Sequence, residues 1–361
     1  MSTIVTIATP TYNRKVFIPI LYQCIQQQTY PLDKIEWLII DDGSDPCSSC
    51  FWDDNDNDNN NDVHIKYDDL ELIEKTKMFE NGIHLRYVRI DGGKHLTLGK
   101  KRNMLNHLAS GEFIVNMDDD DYYPPTRVSH AIEHVSMGST KEKKPCIGGS
   151  SMMYIYSGKQ SNLFQVGPYG PYHTTAATMA YFKKDIQQLG LTYDETLYFS
   201  EEKSFLQNYT IPVVQLDPKQ SIVVFTHQHN SIDKEEFIQD SLRWKKHIQP
   251  AGVTLESLIP NQSLLNFYKS EVHKKLALYK EGDPHQCKEN IMSIVERKKQ
   301  ERQIKKDQCK EMMIQCIRDE TIPFESIYSF FCEPMDMHQL LAAKERMLKR
   351  IREREKKDRE G

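Results

Sequence analysis

No apolar run of about 18 residues occurs anywhere in the sequence, so no segment reads as a membrane-spanning helix. The first residues, MSTIVTIATPTYNR, lack the basic stretch and long apolar run of a secretory leader, and the expected location is the cytoplasm. A basic excess is also missing. Lys and Arg number 47 against 52 Asp and Glu, a net charge of −5, which argues against a nucleic-acid partner bound through phosphates. The eight cysteines are scattered apart from Cys47 and Cys50, and without a leader they are expected as free thiols. No second C-x-x-C completes a zinc site with that pair. The N-glycan acceptor patterns at Asn208 and Asn261 are expected to stay bare for the same reason. Internal repeats are absent. What the chain does have is 361 residues, 39% of them hydrophobic, enough for a large core and a prior of two domains.

The first half alternates short apolar runs with helical stretches. Ile4 to Ala8, Trp37 to Ile40, Leu85 to Ile90 and Phe113 to Val115 read as buried strands, and Phe17 to Gln28 and Lys100 to Ala109 as helices. That alternation predicts an α/β fold with a mostly parallel sheet flanked by helices, whose ligands bind beyond the carboxyl ends of the strands. Polar clusters follow the first, second and fourth runs, so they point at one crevice. Asp53 to Asp62 holds only Asp and Asn. It resembles a calcium loop but lacks the turn glycine and the closing glutamate, and is expected as a surface insertion. From about residue 236 the chain turns Lys-, Glu- and Met-rich, which predicts a helical, charged C-terminal region over 236–361 after a first domain over 1–235. Charged helices are expected at Ser293 to Ile317 and Met337 to Arg359. Lys344 to Glu360 carries nine basic and five acidic residues, read as a solvated helix, with oligomerisation or peripheral contact with an anionic membrane as the sharper alternative.

The most informative segment is Asn116-Met117-Asp118-Asp119-Asp120-Asp121-Tyr122-Tyr123-Pro124-Pro125. Four adjacent carboxylates would repel strongly in a partly buried crevice, and a divalent cation removes that cost. Side-chain alternation along an extended strand would put Asp118 and Asp120 on one side, with the turn bringing Asp121 round. Hard oxygens suit Mn²⁺ or Mg²⁺. The alternative is an acidic turn that caps the helix starting near Pro125.

With that segment in hand, the sequence resembles family 2 glycosyltransferases of the GT-A fold. The likeness rests on VTIATPTYNR (Val5 to Arg14), LIIDDGS (Leu38 to Ser44), Lys101-Arg102-Asn103 with Ala109 to Ile114, and the Asp run with its prolines, in that order. It covers residues 3 to about 235. The resemblance implies an inverting, metal-dependent transfer of one sugar from a nucleotide-diphospho-sugar, with UDP the expected nucleotide, to an acceptor hydroxyl. It implies that Pro10, Thr11, Tyr12 and Arg14 lie at the nucleotide, and that Asp42 accepts from the base edge. Lys100, Arg102 and Asn103 would sit beside the donor, with Lys100 and Arg102 offsetting diphosphate charge. Asp118 and Asp120 match the two acids of the family's D-x-D, and Asp118 and Asp119 are expected to contact the nucleotide-sugar. Asp118, Asp120 and Asp121 are the candidate metal ligands, and the sequence leaves open which of them ligate. His229, in Thr226 to Ser231, is the candidate that completes the metal shell. Glu201-Glu202 stands where the family carries a Glu-Asp pair whose second member is the base, so Glu202 is the candidate base with Glu201 its neighbour. Gln239 to Trp244 resembles the Q-x-x-R-W of processive synthases with one residue too many, and without membrane helices a single transfer is expected. Ser157 to His173, rich in Gly, Pro and Tyr, is the expected acceptor-side lid. Competing readings are a sugar-phosphate nucleotidyltransferase, disfavoured because Thr9 to Lys15 has no glycine, a non-catalytic scaffold, and a metal nuclease.

Overall fold

The computed structural model of the chain describes residues 3–52, 62–90, 95–142, 147–198, 200–227, 230, 234–244 and 247–277, with scattered helical positions between 293 and 315. The strands are β1 Val5–Thr11, β2 Ile35–Asp41, β3 Val63–Tyr67, β4 Leu70–Met78, β5 His84–Ile90, β6 Phe113–Asn116, β7 Ile147–Gly149, β8 Met153–Ser157, β9 Asn162–Val166, β10 Ala180–Phe182, β11 Val213–Gln215, β12 Val223–Phe225 and β13 Ile248–Pro250. Nine of them form one sheet in the order β11-β7-β10-β6-β1-β2-β5-β4-β3, and β12-β8-β9-β13 form a second. The centre of the large sheet is parallel, β6 to β1 to β2 to β5, while β10 runs antiparallel beside β6. This is the mixed α/β architecture the strand–helix alternation predicts.

The central strands are buried on both faces, which is why they read as continuous apolar runs. Trp37 and Ile39 of β2 join one core layer with Phe17, Phe113 and Val115. Leu38 and Ile40, pointing the other way, join a second with Met104, Ile114, Tyr181 and Phe205. Pro10 lies in β1 beyond Ala8, the last residue paired with β6, so it has one neighbouring strand and its missing N–H is tolerated.

The helices that position the site are α1 Ile18–Gln26, α2 Leu98–Leu108, α3 Arg127–Glu142, α4 Lys183–Gln188, α5 Glu202–Phe205 and α6 Lys234–Trp244. Thr97 caps α2, its hydroxyl accepting from the Lys100 N–H at 3.1 Å. One compact unit spans Met1–Pro284 and a second His285–Gly361. The described residues from 236 to 277 therefore belong to the first unit. Leu255, Leu258, Leu264, Phe267 and Tyr268 are buried in its core, and the Tyr268 hydroxyl donates to the Asp121 carbonyl at 2.8 Å. Residues 53–61 of the Asp/Asn tract and the expected helix at 337–359 lie outside the described residues. No helix among the described residues is long and apolar enough to cross a membrane.

Candidate active site

Because β6, β1 and β2 are neighbours and parallel, the segments leaving their carboxyl ends share one edge: 117–121, 12–14 and 42–44. The β2 turn is built first. Asp41 accepts from the N–H groups of Gly43 and Cys47 and from the Tyr87 hydroxyl, each at 2.9 Å. Asn13, with φ +50°, accepts from the Asp45 N–H at 2.9 Å and ties β1 to the same turn. With Asp41 committed to the turn, its neighbour Asp42 is the residue left for the site.

Asp42 is buried. Its Oδ1 meets Lys101 Nζ at 2.8 Å, and its Oδ2 takes the Leu96 N–H at 2.6 Å beside His95 Nδ1 at 3.0 Å. Burial alone would raise this carboxyl, but Lys101 and His95 outweigh it and hold it below its ordinary value, so it stays ionised. Tyr12 closes this corner, its ring 4.1 Å from that of His95 and 5.8 Å from Lys101 Nζ. Lys101, not the expected Lys100, is the buried cation here. Lys100 points away and pairs with Asp68 and with Glu195 at 2.9 Å.

The acidic turn follows. β6 ends at Asn116, so the Asp run leaves the strand before it starts and strand alternation does not govern it. The four acids are divided among three cations, with Asp119 and Asp120 sharing Arg14. Asp118 takes both its bonds from Arg102 Nη2, at 2.9 and 3.1 Å. Asp119 accepts from Arg14 Nη1 at 2.9 Å and the Thr11 hydroxyl at 2.7 Å. Asp120 Oδ2 gathers Arg14 at 3.0 Å, His227 Nε2 at 3.0 Å and Asn230 Nδ2 at 3.2 Å. Asp121 accepts from the Phe225 N–H at 3.2 Å, with Lys234 Nζ 3.8 Å away. Burial pushes Asp121 up to about 8, Lys234 pulling against it and the Asp120 and Asp118 charges adding to it. Asp120 is held well below the carboxylate range because Arg14, Lys234 and His227 overcome its burial. Burial takes His227 down to about 4 despite Asp120, so its ring is neutral at pH 7.

Arg102 joins this turn to the candidate base. Its Nη2 holds Asp118 while its Nε donates to Glu201 Oε1 at 2.7 Å, and all three side chains converge from the turn after β6, α2 and the entry to α5. Glu202, half-buried at the start of α5, is pushed up to about 8 by burial and then by the Glu201 charge. Ser200 just before them has φ +55°, a left-handed backbone uncommon for a non-glycine residue and typical of functional turns. Asn103 does not face the donor corner. Its amide clamps the Tyr193 backbone, donating to the carbonyl at 2.9 Å and accepting from the N–H at 2.8 Å. The 193–197 loop so fixed leads to Glu201. Gly99 lets that loop sit on α2, since a Cβ there would stand 2.1 Å from the Asp194 carbonyl oxygen. Gly99→Ala is expected to cost about 1–3 kcal/mol by overpacking, read as a lower urea midpoint. An unchanged midpoint would contradict the tight approach.

Sequence reasoning gave no role to Lys101 or Lys234, and of the two histidines in Thr226 to Ser231 it preferred His229 to His227. His229 lies outside the described residues. His227, two residues earlier, reaches Asp120. The acids fit a hard divalent ion in kind and charge, since Asp118, Asp119, Asp120, Asp121 and Glu201 outnumber Arg14, Arg102 and Lys234. Among the described residues, however, no three His, Cys, Asp or Glu side chains stand ready to hold one.

No family model matches the chain, and no curated protein matches it by sequence. Solved structures of similar shape include S. aureus TarS 1-349 in complex with UDP-GlcNAc, 15% identical over 63% of this chain and 59% of that one, TM-score 0.43. TarS 1-349 in complex with UDP is 14% identical over 73% and 74%, also at 0.43. The mannosyltransferase PcManGT from Pyrobaculum calidifontis, in complex with GDP-Man and Mn²⁺, is 12% identical over 74% and 70%, TM-score 0.44. The match with the UDP-GlcNAc complex thus spans about three-fifths of the relative's length. Likenesses of this size assign no activity.

Proposed function

We propose that the protein is a family 2-type, GT-A glycosyltransferase that moves one sugar from a nucleotide-diphospho-sugar, with UDP the nucleotide, to an acceptor hydroxyl with inversion. The observation that carries this reading is that Arg102 joins Asp118 to Glu201, while Lys101 ties Asp42 to the Thr11 carbonyl at the end of β1, whose Thr11 and Arg14 side chains hold Asp119. Three parts of one reaction would stand in a row. Asp42, ionised between Lys101 and His95, can accept from the N–H edge of a pyrimidine base, with the Tyr12 ring as its stacking surface. Arg14 can offer its charge to a diphosphate beside Asp119 and Asp120. Glu202 would take the acceptor proton, because a hydroxyl is a weak nucleophile until a positioned carboxylate accepts its proton during attack. A carboxyl titrating near 8 is a stronger base than an ordinary one, and that is what burial beside Glu201 produces.

Asp118 and Asp120, with Asp121 behind them, are the residues that would hold Mn²⁺ or Mg²⁺. When bound, such an ion would neutralise the charge gathering on the leaving diphosphate. Arg102 is here a positioning residue rather than the donor contact expected of it, because its guanidinium is occupied by Asp118 and Glu201.

Calorimetric titration of UDP tests the proposal. The wild type should bind UDP more tightly with Mn²⁺ than with EDTA, and Asp120→Asn should lose that difference. UDP binding that ignores the metal, or an Asp120→Asn protein that still responds to it, contradicts the assignment.

A further inference from the structure

The corner assigned above to the nucleobase is already filled by a ring of the protein itself. His95, in the connection from β5 to α2, sets its imidazole 4.1 Å from the Tyr12 ring, tilted by 54°. Its Nδ1 stands 3.0 Å from Asp42 Oδ2. The Tyr198 ring lies beside it as well, with 6.2 Å between centroids and 23° between planes. A flat nitrogen heterocycle against Tyr12, with a ring nitrogen on Asp42, makes the same two contacts proposed for the pyrimidine base.

The imidazole and a base cannot hold that corner together. Ring pairs keep their centroids about 4.5–7 Å apart. The imidazole already stands inside that distance from Tyr12, so no base fits between them. Asp42 offers no second approach, because its side chain is fully buried. Its Oδ1 meets Lys101 Nζ at 2.8 Å, and its Oδ2 takes the Leu96 N–H at 2.6 Å. Of the two side chains that reach this carboxylate, Lys101 is buried and the imidazole is 27% exposed. His95 is therefore on the open side.

The imidazole can turn away without unfastening the chain. The backbone is anchored from Leu96 onward, by the Leu96 N–H on Asp42 and by Thr97. The Thr97 hydroxyl accepts from the Lys100 N–H at 3.1 Å and donates to the Glu195 carbonyl at 2.6 Å. None of these bonds uses the His95 side chain. An incoming base returns what the imidazole gives up, an N–H for Asp42 and a flat face for Tyr12, so the exchange itself costs little.

We infer that His95 is a built-in stand-in for the nucleobase, which binds by displacing it from Tyr12 and Asp42. A site open for only part of the time binds its ligand more weakly by that fraction, so His95 sets how tightly the base is held. The base then lies between Tyr12 and Tyr198, where the imidazole lies in this structure. The identity of the ligand rests on the donor reading above.

Calorimetric titration of the full chain with uridine, UDP and pyrophosphate, in Mg²⁺ and in EDTA, tests it on the wild type, His95→Ala and His95→Phe. His95→Ala should bind uridine and UDP about fivefold more tightly, the size of one ring contact removed. Pyrophosphate, which has no base, should bind both proteins alike. His95→Phe keeps a ring on Tyr12 and should gain less than His95→Ala. Uridine and UDP affinities that fall or stay unchanged in His95→Ala overturn the inference and leave the donor reading standing. A gain shared by pyrophosphate, or equalled by His95→Phe, also overturns it. Tighter uridine binding, together with UDP binding that EDTA leaves unchanged, keeps the stand-in and removes the metal-dependent transferase reading. Binding of neither uridine nor UDP to any of the three proteins overturns both.

Discussion

Glu202→Gln is expected to lower sugar transfer about a hundredfold or more while leaving UDP affinity close to that of the wild type. The amide keeps the shape of the side chain and removes its ability to accept a proton. Donor binding, which uses the strand-end residues on the far side of Arg102, should not notice. The pH profile gives a second reading of the same group. Glu202 must be ionised to act, and burial with the neighbouring Glu201 sets its pKa at about 8, Arg102 pulling the other way. Transfer should therefore keep rising as the pH approaches about 8, where an ordinary glutamate would have levelled off near pH 5 or 6. The sign for stability is opposite. A carboxyl whose pKa is raised on folding helps the folded state fully in acid, and that help is lost as pH climbs through about 8. Glu202→Gln should thus melt higher than the wild type at pH 9. If Glu201→Gln abolishes transfer and Glu202→Gln does not, the base is Glu201.

Arg102→Met should be the most damaging substitution to the fold around the site. Arg102 is buried with Glu201, and its second amino group holds Asp118. Removing one partner of a buried ion pair typically costs about 3–5 kcal/mol, because the charges left behind stay desolvated. Lysine should not rescue it, since a single ammonium cannot span two carboxylates as a guanidinium fork does. Adding Glu201→Gln and Asp118→Asn to Arg102→Met should recover part of the loss, because no bare charge then remains. Urea unfolding of the four proteins checks this. A full-strength Arg102→Met protein would mean that water, not Arg102, balances these acids.

How far the site could be read from the sequence depended on what fixes each residue. The ends of β2 and β6 were legible because buried parallel strands are plain apolar runs that stop at polar residues, at Asp41 and Asn116, whereas β1 runs on past the expected Ala8 and through Pro10 to Thr11. Glu201 and Glu202 were singled out only through the family resemblance, and the structure joins Glu201 to the Asp run through Arg102. The phase of α2 was misread, although the signal was there. Lys101 precedes Met104 by three residues and Leu105 by four, the spacing of the buried face, so Lys101 rather than Lys100 turns inward. Asn103 could not have been understood from its own neighbourhood, since its partner is the backbone of Tyr193, ninety residues away. His227 was hidden for a similar reason. That His227 reaches Asp120 depends on where β12 stops and on its distance from the β6 turn, not on local pattern. The expected domain edge at 235 followed composition, but burial of Phe267 and Tyr268 decides membership, and Tyr268 reaches back to the Asp121 carbonyl.

The central claim is that acids around Asp120, with Asp42 on one side and Glu202 on the other, serve the departure of a nucleoside diphosphate from a sugar. Release of nucleoside diphosphate from a panel of UDP- and GDP-sugars, with Mn²⁺ and with EDTA, tests it most directly. The account predicts turnover of at least one UDP-sugar in Mn²⁺ that EDTA stops and that Asp120→Asn lacks. Purified, folded protein that leaves every donor in the panel intact with Mn²⁺ present would contradict it.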